Sequence, residues 1–335
     1  MNKIVFWFRN ARNASLVQSF MPSVLAVFIA MQNDGFNIFL SILAVLGVML
    51  VHLAMNLADD YFDYRVNTSS SRKELNRQGI RARLVKYPYL TNGKADLKDL
   101  KSVIIALLCV AALLGGVIYF FRQDWRIILI ASTALFLGIF YSAPPFKFSY
   151  RGLGELVIGI MFGPLLMTGV YIASCANMDN TIITASLPIG LLVINIVFTH
   201  SYIDMKADEA DNKMTFARLL KTNKANLTAC YIFNFLPFVL IVAGVIAGYL
   251  HCLYLFTLLV LPRCVWLVWS LHKFAAKREI DLDKPAWYLG RMENWEKIKK
   301  ENIGWFMIRW YCARNIISAF CTIIIIINII LFLWL

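Results

Sequence analysis

Val48-Met-Leu-Val-His52-Leu-Ala-Met-Asn56-Leu-Ala-Asp59-Asp60-Tyr-Phe-Asp63 decides how this chain is read. An apolar run long enough to enter a bilayer ends, within one helical turn, in three carboxylates. Carboxylates repel one another and are expensive beside hydrocarbon, so a positive partner is expected among them. The same pattern returns later as Ile203-Asp204-Met-Lys-Ala-Asp208-Glu-Ala-Asp211. With only 20 acidic residues in 335, two such groupings at the ends of apolar segments identify a site rather than a solvated surface.

Working outward, the chain is 60% hydrophobic with a mean hydropathy of +0.65, which places it among integral membrane proteins. Apolar stretches fall at 14–32, 36–58, 102–121, 127–143, 153–174, 181–203, 227–248, 250–271 and 315–335. Most reach the roughly 20 residues that cross a hydrocarbon core. The expected fold is therefore all-α, a polytopic bundle of about nine transmembrane helices. The fourth stretch is short, and a break is required near Gly248–His251.

An N-terminus on the cytoplasmic side leaves every Lys and Arg inside except Arg122, Arg126 and Arg263. The net charge of +13 then records topology, and it suits an anionic leaflet or substrate. No soluble basic module is present, so nucleic acid is not an expected partner. The seven cysteines are scattered without a Cys-x-x-Cys pair and read as small hydrophobes.

Two stretches look extramembranous: the basic loop 64–101, and 272–314, which carries Trp287, Trp295, Trp305 and Trp310 among Lys297, Lys299, Lys300, Arg309 and Arg314. The second has the composition of an interfacial helix or hairpin, or of an ordinary connector. The chain reads as one membrane-embedded domain over 1–335. The recurrence of an acid cluster and a basic loop hints at a pseudo-repeat, 14–143 and 153–271, with 315–335 as a final helix.

On a helix, Asp59 and Asp63 share one face, Asn56 and Asp60 the next, and Asp204, Asp208 and Asp211 form a single stripe. All lie where the helix dipole is already negative. Oxygen donors without neighbouring Cys or His favour Mg²⁺, held by carboxylates together with substrate phosphates. Arg72, Arg77, Arg81 and Lys213 are placed to neutralise the outer oxygens of a diphosphate, Lys213 lying two residues beyond Asp211.

Here the sequence resembles the UbiA-type intramembrane aromatic prenyltransferases. Asp59-Asp60-Tyr-Phe-Asp63 and Asp204-Met-Lys-Ala-Asp208 stand at the ends of the second and sixth helices, where that family has Asn-Asp-x-x-Asp and Asp-x-x-x-Asp. Asn212-Lys213-Met-Thr215 stands where that family's second motif often continues into Gly-Lys-x-Thr, and Tyr150-Arg-Gly-Leu-Gly-Glu155 is similar to the dihydroxynaphthoate polyprenyltransferase branch of menaquinone biosynthesis. Asp59 replaces the usual Asn, and Asn67 stands where many members have a further Asp. The resemblance implies Mg²⁺-dependent transfer from a polyprenyl diphosphate to an aromatic acceptor, 1,4-dihydroxy-2-naphthoate first, with 4-hydroxybenzoate or homogentisate as alternatives. It implies Asp59, Asp60, Asp63, Asp204 and Asp208 as metal ligands, and substrate contacts from Asn56, Asn67, Tyr141, Tyr150, Arg151 and Asp211. It also implies a multi-pass protein of the bacterial inner membrane whose site opens to the cytoplasm. Two rivals are weaker. A CDP-alcohol phosphotransferase requires a longer Asp-Gly motif that is absent, and a cation-coupled transporter places its carboxylates near mid-membrane.

Overall fold

The computed structural model describes residues 3–66 and 87–334, so Asn67, Arg72, Arg77 and Arg81 lie outside the described residues. Nine apolar helices occur among the described residues: α1 Asn13–Ala30, α2 Ile38–Val66, α3 Leu97–Arg122, α4 Trp125–Phe140, α5 Gly154–Cys175, α6 Asn180–Ile203, α7 Asn223–Ile246, α8 Cys252–Ala275 and α9 Gly304–Trp334. Eight are long and apolar enough to cross a membrane; α4, with 16 residues, is shorter. The expected break between α7 and α8 falls at residues 247–251.

α6 is the axis of the bundle. Two-thirds of its apolar window is buried (67%), against 6% for α3 at the periphery. It packs on α5, α7 and α9, while α2 packs on α3 and α5. Apolar side chains gain little by leaving lipid for a helix interface, so close approach depends on small residues. Gly163 in α5 supplies one: a Cβ there would lie 2.5 Å from Gly190 Cα of α6. The π-turn Met161–Leu165, with Pro164 inside it, bends α5 at the same level.

Arg122 pins one end of the bundle. Its Nε donates to Ala173 O at 2.8 Å and its Nη2 to Gly35 O at 3.1 Å, joining α3 to the C-terminal carbonyls of α5 and to the α1–α2 link. Asn37 N donates to Ser174 O there too. The acidic end of α2 is thereby the opposite end, which it shares with the starts of α3 and α5 and the ends of α4 and α6.

Two expectations are corrected. The final helix starts at Gly304 rather than 315, because Arg309 and Arg314, which signal a boundary in the sequence, are buried within it. Arg309 donates to Ser270 O from Nε and Nη2 (3.2 and 2.9 Å) and lies over Phe274; Arg314 lies 4.5 Å from the centre of the Tyr311 ring. Second, of the readings left open for the segment between α8 and α9, a single interfacial helix is excluded and a connector remains. It contains only the turn Trp287–Leu289 and the short helix Trp295–Lys300. This strap is held by Arg263 Nε on Tyr288 O (2.7 Å) and Asn315 Nδ2 on Leu289 O (2.9 Å).

Candidate active site

The acidic end of α2 is continuous helix, so Asp59, Asp60 and Asp63 fan out from adjacent turns onto one cavity of about 1300 Å³. Asp60 and Asp63 are each 2% exposed. Every carboxylate has an identifiable donor. Arg12 Nη1 reaches Asp59 Oδ2 at 3.0 Å and its Nη2 pairs with Asp60 Oδ1. Tyr89 donates to Asp60 at 3.0 Å, Ser142 to Asp59 at 2.5 Å and Tyr150 to Asp63 at 2.6 Å. Lys213 Nζ lies 3.8 Å from Asp63 Oδ2 and over the rings of Tyr150 (5.3 Å) and Tyr141 (5.9 Å).

Local structure places these groups. Arg12 sits in the left-handed region (φ 58°) between the N-terminal helix Lys3–Asn10 and α1. Asn56 holds that turn, donating to Ala11 O and Ser15 Oγ, both at 3.0 Å. Phe6 and Trp7 pack edge-on against Tyr89, in a small cluster with Leu53, Leu57 and Leu100. His52 is buried, its Nδ1 2.7 Å from Ser19 Oγ, and it borders the cavity.

Electrostatics follow from burial and pairing. Burial would lower the Lys213 pKa, but the charges of Asp63 and Asp59 outweigh it, and the ammonium is held well above its ordinary range. For Arg12, partial desolvation by the surrounding protein is likewise overcome by Asp60 and Asp59, and its pKa is raised. Burial, reinforced by a neighbouring carboxylate, raises Tyr89 and Tyr150, so both stay neutral O–H donors. Burial also raises Tyr141.

The end of α6 differs from its expected form. The helix stops at Ile203; Asp204 has φ −100°, ψ 12°, and a separate helix Met205–Ala210 follows, with Asp211 as its C-cap. The three acids therefore do not form one stripe. All are buried, but only Asp208 borders the cavity; Asp204 and Asp211 do not. Met205-Lys-Ala-Asp-Glu-Ala reads as good helix former, which conceals the break.

Of the other expected residues, Asn56, Tyr141 and Lys213 border the cavity, and Tyr150 reaches it through Asp63. Arg151 does not: its Nη2 donates to Pro145 O at 3.0 Å. Among the described residues no three His, Cys, Asp or Glu side chains converge as a ready-made metal site. Arg12 and Lys213 stand beside the carboxylates instead. Sequence reasoning missed Arg12, Tyr89 and Ser142. The available signal was a basic residue just before the first apolar span and an aromatic one after Pro88.

Below this polar mouth the cavity is apolar, lined by Leu43, Val51, Leu108, Ile128, Leu135 and Phe162 from α2 to α5. Gly47, Gly115 and Gly116 also line it, with open space where a Cβ would stand.

An apolar cavity bordered by paired acids and bases thus lies among the nine apolar helices of the described residues. Residues 19–289 match the UbiA prenyltransferase family, and the chain belongs to that family; it is an integral, multi-pass membrane protein. Among curated relatives it is 30% identical, over 54% of its length and 53% of theirs, to a 2-carboxy-1,4-naphthoquinone phytyltransferase of Synechocystis. It is 24% identical to a 1,4-dihydroxy-2-naphthoate octaprenyltransferase of Bacillus subtilis, covering 62% of this chain and 64% of that one. The chain thus spans between half and two-thirds of the length of these relatives. The fold is that of a digeranylgeranylglyceryl phosphate synthase (TM-score 0.60, 16% identity, all of both chains) and of an Archaeoglobus fulgidus UbiA homologue bound to DMAPP and Mg²⁺ (TM-score 0.60, 13% identity, 93% of this chain and 99% of that one).

Proposed function

We propose that this protein transfers a polyprenyl group from a polyprenyl diphosphate to an aromatic acceptor of the 1,4-dihydroxy-2-naphthoate type, in the menaquinone branch of quinone biosynthesis. One observation carries the reading: a single cavity of about 1300 Å³ joins the carboxylates of α2, Asp208, Lys213 and Arg12 to apolar walls. The tail of a prenyl diphosphate matches the walls, and its head matches the mouth.

The donor set fits Mg²⁺. Hard carboxylate oxygens flank a space that phosphate oxygens would complete, and Mg²⁺ is held in this way by one or two carboxylates plus substrate phosphates rather than by an all-protein cage. Asp59, Asp60 and Asp63 would hold it on one side, with Asp208, backed by Asp204, on the other. When bound, the metal supplies Lewis-acid neutralisation of the leaving diphosphate.

The chain's own residues do the rest. Lys213 and Arg12, whose pKa values are raised, remain cationic and take up charge on the diphosphate's outer oxygens. The basic loop residues Arg72, Arg77 and Arg81 would add to this, and Asn67 would border the same head group. Tyr141 and Tyr150 present their rings beside Lys213, where they can face an allylic carbon that becomes positive as its C–O bond lengthens. The apolar walls keep water from that carbon. No side-chain nucleophile is needed.

The distribution of Lys and Arg supports placing the N-terminus and the polar mouth on the cytoplasmic side of a bacterial inner membrane. The test is incubation of purified protein with Mg²⁺, a polyprenyl diphosphate and a panel of dihydroxynaphthoate, 4-hydroxybenzoate and homogentisate, read by mass spectrometry. Prenylated dihydroxynaphthoate is the expected product. A product from another acceptor would move the protein within the superfamily, and failure to consume any prenyl diphosphate would refute the reading.

A further inference from the structure

One wall of the polar mouth carries chemistry that the aspartate clusters do not use. Glu155, in the first turn of α5, borders the cavity and is 3% exposed. The Phe216 N–H donates to both of its oxygens at 3.2 Å, and Ser201 of α6 borders the same cavity. Among the described residues it forms no ion pair. Lys213 acts on it through space without contacting it, and a buried carboxylate that no cation touches directly is costly.

The bland role for Glu155 is to cap the short helix Phe216–Leu219. That helix already has a residue suited to the task, since Thr215 occupies its N-cap position. Yet the Thr215 hydroxyl makes no capping bond. It is buried on the cavity wall and has no hydrogen-bond partner among the described residues. Glu155 accepts from the first amide of this helix, and the threonine oxygen is left over on the same cavity wall. A buried hydroxyl without a partner, on the same cavity wall as a carboxylate that no cation contacts directly, is a place for a polar group of a ligand. Flat apolar surface adjoins it: Tyr141 packs on Gly154, and Phe162 and Trp310 border the same space.

Resting on the prenyl-transfer reading above, we infer that Glu155, Ser201 and Thr215 seat the ring hydroxyl of the aromatic acceptor, and that Glu155 is the base that takes its proton. The O–H bond of the acceptor breaks and the proton passes to a Glu155 oxygen. Electron density on the ring carbon then forms the C–C bond to the allylic carbon, while the C–O pair leaves with the diphosphate. Loss of a proton to the released diphosphate, or of carbon dioxide from a carboxylated acceptor, at the new ring carbon returns electrons to the ring. The ring oxygen recovers its proton from Glu155, and the base is regenerated. Ser201 and Thr215 are positioning residues that hold the carboxylate and the hydroxyl in register.

The test uses the full-length protein in detergent with Mg²⁺, a prenyl diphosphate and a series of ring-fluorinated acceptors of increasing hydroxyl acidity. Glu155→Gln preserves size and an acceptor for the Phe216 amide. It is expected to lower kcat by about 100-fold or more with the unfluorinated acceptor, the range of a lost general base. The KM for prenyl diphosphate is expected to stay unchanged, and more acidic acceptors are expected to recover a growing share of the rate. Ser201→Ala is expected to raise the acceptor KM several-fold and leave the prenyl diphosphate KM alone; it decides the matter if Glu155→Gln does not fold. Wild-type rates in Glu155→Gln, a loss equal for all acceptors, or an unchanged acceptor KM in Ser201→Ala would each overturn the inference. A wild type that consumes no prenyl diphosphate removes the prenyl-transfer reading itself, which is a different result from a working wild type beside a working Glu155→Gln.

Discussion

The ends of α2 and α6 carry the same residue type at nearly the same spacing, yet they are built differently. α2 runs unbroken through its acids to Val66, and all three carboxylates border the cavity. α6 stops at Ile203, and of its three acids only Asp208 borders the cavity. A continuous helix aims neighbouring side chains along adjacent faces, whereas a break re-aims one and withdraws the others. The first cluster is a surface; the second delivers one carboxylate and then, five residues on, Lys213. The two meet where Lys213 lies beside Asp63.

The largest effect tests whether both ends are needed. Asp60→Ala and Asp208→Ala are each expected to abolish product formation, below about one part in a thousand of wild type by mass spectrometry, the scale of lost electrostatic stabilisation. Retained activity in both would break the paired-end mechanism.

Next comes the link between the ends. Lys213→Met is expected to reduce kcat/KM for the prenyl diphosphate by roughly 10- to 100-fold, the size of a lost charge-assisted contact. Because the folded pKa is raised, the stabilising charge is fully present below lysine's ordinary value of about 10.4 and is lost only as pH rises through the folded value. The deficit is therefore expected to be equal at about pH 7 and about pH 9 in initial-rate assays. A deficit that vanishes at the higher pH would show that Lys213 acts otherwise.

Arg12 distinguishes the first end from the second, since it spans Asp59 and Asp60. Removing it leaves neighbouring carboxylates to repel, and a divalent cation relieves that repulsion. Melting curves are expected to show a lower Tm for Arg12→Ala without Mg²⁺ and a larger rise on adding Mg²⁺ than in wild type. The smallest effect is expected at Asp211→Asn, within about threefold of wild type in initial rate, because its carboxylate does not border the cavity. A loss as large as that of Asp208→Asn would mean that the stripe read from sequence re-forms when substrate binds.

What could be read without coordinates follows the range of the forces involved. The nine apolar segments are local facts of composition, and each has its helix. Asp59, Asp60 and Asp63 were legible because an uninterrupted helix preserves their spacing. The break at Asp204 was hidden, since the residues after it favour helix and tertiary packing decides. Arg12 and Tyr89 lie 48 and 29 positions from Asp60, and no local pattern joins them. Arg309 and Arg314 misled for the converse reason: a guanidinium looks like a helix boundary until carbonyls and rings are available to receive it.

The strap between α8 and α9 bears on how the protein is assembled. Arg263 stands midway along α8, and its guanidinium bonds to Tyr288 O and Asn315 O, both made later in synthesis. An arginine at the centre of a helix costs about 2.5–3.5 kcal/mol on insertion, and α8 meets that cost before either carbonyl exists. A chain truncated before the strap is therefore expected to hold α8 less firmly in the bilayer than the full chain, which extraction of the two from membranes at alkaline pH would measure.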